Sequence, residues 1–213
     1  MASSHSIIAS TEADIPVLAA FLQSSKLNLA INRFLFKDWP NDAAQKAQYT
    51  SAIEGSFKNT AATSLKVIDD TTGDIIAYLF LTRRKPNEPP KTQNDAANQV
   101  QPDAMNKEVA STVHKAVEEI NRQWTNVDYL ELTHIFVRPE SRKKGIGAEL
   151  IRRAIKEARA ASVPLVTCAE PPAFKFFQKQ GFKSGNHVDI DLRQWAPENC
   201  GWGIFRITGI SLE

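Results

Sequence analysis

The sequence predicts an α/β fold built as one domain: a mixed β-sheet with a parallel pair across a central crossover, flanked by helices. Three observations predict it. Strand-type and helical runs follow one another in the order β-α-α-β-β-(insert)-β-α-β-α-β-β. The unit "DYLELTHIFV", glycine loop, "AELIRRAIKEARA", "PLVTC" has the length and pattern of a strand-helix-strand crossover, whose two strands run parallel. The 213 residues, 42% hydrophobic and 23% charged, can bury one sizeable core, and no internal repeat or second domain is visible.

Element by element, "SIIAS" reads as a first strand. "TEAD" after it is a Thr-x-x-Asp variant of the capping box at Thr11 and Asp14, and Ile15, Leu18 and Leu22 then recur at helical spacing. A second helix is expected from about Asp42 to Phe57, and "SLKVIDDTTGDIIAYLFLTRR" is two β-rich runs around a turn at Gly73. "KPNEPPKTQNDAANQVQPD", with four prolines, is expected to be an irregular loop. It leads into a helix with Met105, Val109, Val113, Val117 and Ile120 on one face, so a loop-helix insert occupies about residues 85–125. After the crossover, Pro172 suits the first turn of a short helix in "PPAFKFFQKQGF" and Gly181 the left-handed position past its end. "VDIDLRQW" and "GWGIFRITGI" close the chain as strands.

Composition narrows the function classes. No apolar run approaches the ~18 residues of a membrane span, and "MASSHSIIAS" lacks the basic flank and apolar stretch of a secretory signal. Two cysteines, Cys168 and Cys200, are too few for a disulfide framework, so a cytoplasmic location is expected. No cluster has metal-ligand spacing, and a net charge of +2 does not argue for nucleic acid. The charge is nevertheless uneven. Arg138 to Arg159 holds eight basic and three acidic residues, a net +5 against −3 for the rest, which fits a local anionic ligand or a solvated helix face.

That basic segment contains Arg142-Lys143-Lys144-Gly145-Ile146-Gly147 where a strand turns into a helix. The first amides of a helix point outward and attract anions, and glycines let a backbone approach a ligand closely. The triphosphatase phosphate loop, G-x-x-x-x-G-K-[ST], is absent, and Leu150 stands where the dinucleotide fingerprint G-x-G-x-x-G has its third glycine. The pattern [RQ]-x-x-G-x-[GA], which wraps a pyrophosphate, is matched.

The stretch "LTHIFVRPESRKKGIGAELI" resembles the acetyl-coenzyme-A-binding segment of the GNAT N-acetyltransferase superfamily, and "FFQKQGF" is similar to the "FYEKLGF" run of that family's next helix. The resemblance is strong from Tyr129 to Phe182, architectural from Ile7 to Arg84 and weak in the insert; the ending is similar to small-molecule members from fungi. It implies one N-acetyltransferase domain over 1–213, with two central parallel strands splayed around acetyl-CoA as co-substrate and no metal. It further implies that Ile135, Phe136 and Val137 pair with the pantetheine arm. Arg142, Lys143, Lys144, Gly145, Ile146, Gly147 and Ala148 would hold the pyrophosphate, and Phe174 and Phe177 would lie near the thioester.

An amine that reacts with a thioester must first lose a proton. Glu131, fourteen residues before Gly145, stands where several family members place a general base. A regular strand would put Glu131, Thr133, Ile135 and Val137 on one face and Leu132, His134 and Phe136 on the other, which makes His134 a structural residue. Phe177 replaces the tyrosine the family uses as general acid, so the acid step stays open among Tyr49, Tyr78, Tyr129 or release of the thiolate itself. Cys168 reads as a small buried strand residue. Phe34, Phe36, Trp39, Trp124 and Trp202 are candidates for an aromatic acceptor wall, or for core. The expected function is acetyl transfer from acetyl-CoA to a small-molecule primary amine by a monomer or homodimer, with no nucleic-acid or membrane partner. A protein lysine or N-terminal acetyltransferase, and a non-catalytic acyl-CoA-binding module, are the alternatives.

Overall fold

The computed structural model describes residues 4–86 and 103–213; the expected proline-rich loop lies largely outside them. Seven strands form one sheet in the order β1-β2-β3-β4-β5-β7-β6. They are β1 (His5–Ala9), β2 (Ala62–Asp69), β3 (Ile75–Arg84), β4 (Tyr129–Val137), β5 (Leu165–Ala169), β6 (Lys183–Asp191) and β7 (Ile204–Leu212). The helices are α1 (Ile15–Leu27), α2 (Asn32–Leu35), α3 (Asp42–Lys58), α4 (Lys107–Asn121), α5 (Ile146–Ala160) and α6 (Pro171–Lys179). Among the described residues only β4 and β5 pair in parallel, across the crossover that carries α5. The mixed α/β fold with its central parallel pair is therefore as the sequence predicts.

Local chemistry explains the element starts. Asp14 Oδ2 accepts from the Thr11 amide at 2.7 Å, as the capping box requires, and is held in place by Lys66 Nζ at 2.7 Å from β2. Asn106 caps α4 through Glu108 N at 3.1 Å. The sequence reading missed α2, a single turn, and placed the start of β6 too late, because Lys183–His187 is almost wholly exposed and carries no apolar alternation. "LRQW" forms a 3₁₀ turn over Leu192–Trp195 in place of a strand end.

The sheet is covered on both faces. On one, Leu79, Leu81, Leu132 and Leu165 pack with Leu150, Ile151 and Ala154 of α5 and with Phe177 of α6. On the other, Tyr78, Phe80 and Phe136 pack with Leu18 and Leu22 of α1 and Ile53 of α3. Helix α4 covers that second face farther along, with Val109 and Ile120 against Phe205 and Ile207.

The α4–β7 contact is close because Gly209 has no side chain. A Cβ there would lie 2.5 Å from Ile120 Cγ2 and 3.3 Å from the Asn186 carbonyl oxygen. Ile120 is fully buried and branched at Cβ, so it cannot swing away cheaply. Gly209→Ala is expected to cost about 1–3 kcal/mol by overpacking, read as a lowered thermal midpoint. An unchanged midpoint would show that α4 rides loosely on the sheet.

One irregularity decides how the centre of the sheet is read. Against β3, Phe80 pairs with His134 but Leu81 pairs with Leu132, so Thr133 is an extra, bulged residue whose hydroxyl bonds the Phe80 carbonyl at 3.2 Å. A bulge reverses the alternation on one side of it. Thr82, Phe80 and Tyr78 lie on one face of β3, and their partners Glu131, His134 and Phe136 share that face. Leu132, Ile135 and Val137 share the other, toward α5. The expectation that Glu131 and His134 point to opposite sides is corrected: both lie on the α1–α3 face.

Candidate active site

The site lies where β4 and β5 part. Their parallel pairing is confined to Leu130 with Leu165 and Glu131 with Val166. Beyond it, the Thr167 hydroxyl donates to the Leu132 carbonyl at 2.8 Å and closes the narrow end of a wedge. From His134 to Val137, β4 remains paired with β3 on its far side and faces the wedge with its near side. Strand β5 is held open by its full ladder with β7.

At the end of β4 the chain makes a 3₁₀ turn, Pro139–Ser141, and enters the glycine loop. Lys143 and Gly145 adopt left-handed conformations, with φ of 61° and 86°. This folds six successive amides, Lys143 to Ala148, outward: among the described residues none donates to a backbone or side-chain acceptor. Nothing lies within 4 Å of where a Gly145 Cβ would stand. Such a concave run of free amides at the start of a fifteen-residue helix, rimmed by lysines, fits the doubly charged bridge of a pyrophosphate. Gly147 is required for a different reason, since its Cβ would press on the Phe176 ring at 3.3 Å and Val137 Cγ2 at 3.6 Å. Arg142 turns back onto β4, with Nε donating to the Val137 carbonyl at 3.0 Å and the guanidinium 5.7 Å from the Phe136 ring centroid.

Ionisable groups line the α1–α3 side of the wedge. The Glu131 carboxylate accepts from Arg84 Nε at 2.7 Å, with the two side chains only 15% and 11% exposed. At the wide end, Glu170 follows the last residue of β5 and accepts from Lys26 Nζ of α1 at 2.5 Å. Burial pushes the Cys168 thiol up to about 12, and the charges of Glu131 and Glu170 add to the shift. A thiol so protonated is a poor nucleophile, in keeping with its reading as a structural residue. Burial also pushes the His134 imidazole down to about 3, helped by the Lys26 charge, so the ring is neutral at working pH. Its Nε2 has no hydrogen-bond partner.

The structure separates the predicted aromatic residues. Phe177 lies in the core against Phe176 and Phe182, at ring distances of 5.3 Å each, and Phe174 is half-buried beside the same cluster. Phe34 packs edge-on to Trp202 at 5.2 Å, near Trp195; Trp39 joins the α1–α3 cluster, and Phe36 is buried beside Tyr49. Trp124 packs on Tyr129 at 5.9 Å and shares a shallow cavity with Arg84 and Asn121. These residues do not form one wall; Trp124 is the one joined to Glu131, through Arg84. Of the tyrosines, Tyr78 is wholly buried among aromatics and Tyr49 donates to Asn32 Oδ1 at 2.9 Å; burial raises both phenols above their usual range. Sequence reasoning missed Phe176 and the Lys26–Glu170 pair. The one available signal was an acidic residue directly after a buried strand, at the carboxyl end where open α/β sheets bind ligands.

A splayed parallel pair ending in an amide-lined loop is a cleft that suits an extended anionic ligand. Residues 104–184 match the family model of the Acetyltransferase (GNAT) domain. The chain superposes on a protein assigned as arylalkylamine N-acetyltransferase 7 from the yellow fever mosquito, with a TM-score of 0.66 and 15% identity over 96% of this chain and 86% of that one. It also superposes on the polyamine N-acetyltransferase of Drosophila melanogaster that forms N-acetylagmatine (0.65, 12% identity, 99% and 100% covered). A third match, from Salmonella typhimurium, is assigned as an acetyltransferase and was solved with its cofactor acetyl-CoA (0.53, 16% identity, 99% and 94% covered). No curated protein matches the sequence. The fold is that of these acetyltransferases, and the chain is an acyltransferase.

Proposed function

We propose that the protein transfers an acetyl group from acetyl-CoA to the primary amine of a small molecule. The observation that carries this reading is the run of six free amides at 143–148 beside a wedge whose β4 edge is open. Acetyl-CoA supplies a thioester, whose carbonyl carbon is electrophilic enough to need no covalent enzyme nucleophile. The loop amides grip the pyrophosphate, with Lys143 and Lys144 adding charge, and the near edge of Ile135–Val137 hydrogen-bonds the pantetheine amides. Phe176 backs the loop at Gly147; Phe174, and Phe177 behind it, support the side of the cleft that α6 forms.

Glu131 takes the proton that the arriving ammonium must lose, directly or through a water. Its place supports this: the bulge turns it onto the α1–α3 face beside the closed end of the wedge, and Arg84 fixes its direction. Trp124, through the cavity it shares with Arg84, borders the same region, while Phe34 and Trp39 belong to two separate hydrophobic clusters. Phe177 carries no hydroxyl to protonate the sulfur, and in this reading coenzyme A leaves as the thiolate. Two unpaired cysteines fit a cytoplasmic setting.

Titration calorimetry with acetyl-CoA is expected to show one site, and free-thiol release should appear with members of a panel of primary amines. Heat without thiol release to any amine or peptide would leave only an acyl-CoA-binding module, and release confined to peptides would make it a protein acetyltransferase.

A further inference from the structure

The Lys26–Glu170 pair spans the wide mouth of the wedge. Glu170 begins α6 as its first flanking residue, yet its side chain caps no α6 amide. It reaches instead to Lys26 of α1, across the wide mouth of the wedge, and both side chains retain some exposure, 31% and 24%. On the facing strand, His134 Nε2 is buried without a hydrogen-bond partner, on a residue 6% exposed and within electrostatic reach of the Lys26 ammonium. Buried polar atoms are satisfied in the great majority of cases, and an orphan at a cleft is explained when a ligand completes it.

The pair differs in kind from Arg84–Glu131. A guanidinium grips a carboxylate through a planar, preorganised fork, and that pair is more deeply buried. Lysine presents a compact ammonium on a flexible stem, which exchanges partners easily. A lysine head group is itself a primary alkylammonium. It has the charge, size and hydrogen-bond geometry of the group that a primary amine brings to the site.

Building on the acetyl-CoA-dependent reading above, we infer that Glu170 is the specificity-determining carboxylate for the acceptor, and that Lys26 holds its place until an acceptor ammonium displaces it. The bound ammonium then reaches His134 Nε2 as a second acceptor of its hydrogen bonds. Glu131, whose register partner Val166 lies four residues before Glu170, takes the proton through water, and Glu170 holds the cation until it does. The arrangement selects a primary amine with a single positive charge. The second carboxylate at the wedge, Glu131, is already matched by the guanidinium of Arg84, so Glu170 is the carboxylate at the wedge whose partner exchanges, and it offers one place for one ammonium.

Steady-state kinetics with hexylamine, 2-phenylethylamine and spermidine, read as thiol release, test this. Glu170→Gln is expected to raise KM for the two monoamines about 10- to 100-fold, the worth of a hydrogen-bonded charge, with kcat little changed. Lys26→Met is expected to lower KM several-fold, because the competitor is gone, and spermidine should be the poorest of the three for the wild type. A purely structural clamp makes the opposite forecast: both single variants would weaken the enzyme alike, and exchanging the charges (Lys26→Glu with Glu170→Lys) would restore wild-type KM. The inference requires the exchanged protein to stay defective in KM while regaining the wild-type thermal midpoint. Equal KM changes in the two single variants, or rescue of KM by the exchange, overturn it. Calorimetry with acetyl-CoA separates the two levels: normal binding with KM values indifferent to Glu170 sinks the Glu170 assignment alone. Absence of binding in the wild type sinks the acetyl-CoA reading and this inference with it.

Discussion

Gly145→Pro is expected to weaken acetyl-CoA binding by about two to four orders of magnitude, the loss of two charge-assisted hydrogen bonds at about 1.5–3 kcal/mol each. Gly145 has φ of 86°, and proline is confined to about −65°, so the peptide planes on both sides must swing. The substitution removes one amide outright and turns its neighbours away from the cradle. Gly145→Ala separates this loss from backbone strain. Alanine keeps the amide, meets nothing within 4 Å, and pays only the left-handed penalty of about 1–2 kcal/mol. It should lower the melting temperature yet retain most of the affinity. Gly73→Ala, at φ of 75° in the β2–β3 turn, carries the same strain far from the loop and should leave calorimetry unchanged. A proline variant that binds as tightly as the wild type would remove the pyrophosphate from this loop.

What the sequence made legible was local. The capping box, the strand-glycine-helix unit and the helical stripes of α4 and α5 are each written in a few consecutive residues, and each stands where the pattern put it. What it hid depends on partners far along the chain. The bulge at Thr133 is a matter of register against β3, and nothing in "ELTHIFV" announces it. Burial along β4 even keeps alternating through the bulge, since Leu132 and His134 are both buried but on opposite faces. A strand covered on both sides has no solvent face to mark its parity. For the same reason the aromatic residues looked alike in sequence, although Phe177 fills the core, Phe176 backs Gly147 and Phe34 belongs to the cluster under α4.

Charge also organises the molecule beyond what a net +2 conveys. Both carboxylates at the wedge are matched by cations from within the chain, Arg84 and Lys26, whereas the loop amides and their lysines are matched by nothing among the described residues. The uncompensated field therefore belongs to the glycine-loop end and favours an anion there. The two carboxylates, by contrast, are electrically matched until a cation competes for one of their pairs.

Glu131→Gln is expected to lower kcat by about 10²- to 10⁴-fold while acetyl-CoA affinity stays within experimental error. Glutamine matches the carboxylate in shape and still offers Arg84 an oxygen, so the 2.7 Å contact and the bulge beside it can persist. It cannot take a proton. The pH dependence carries the sharper information. An alkylamine with a pKa near ~10 is almost entirely ammonium at neutral pH, and only the small neutral fraction can react without a base. In the glutamine variant turnover should climb roughly tenfold per pH unit toward the amine's own pKa. The wild type, whose base does this work at neutral pH, should climb much less. A weakly basic amine, largely neutral at pH 7, should be acetylated nearly as well by the variant as by the wild type. Full activity of Glu131→Gln toward hexylamine at neutral pH would show that the proton leaves by another route. Because the bulge puts Glu131 and His134 on one face, and the end of β5 puts Glu170 at the mouth, the change in KM in Glu170→Gln against the change in kcat in Glu131→Gln would then identify the group that holds the amine apart from the one that deprotonates it.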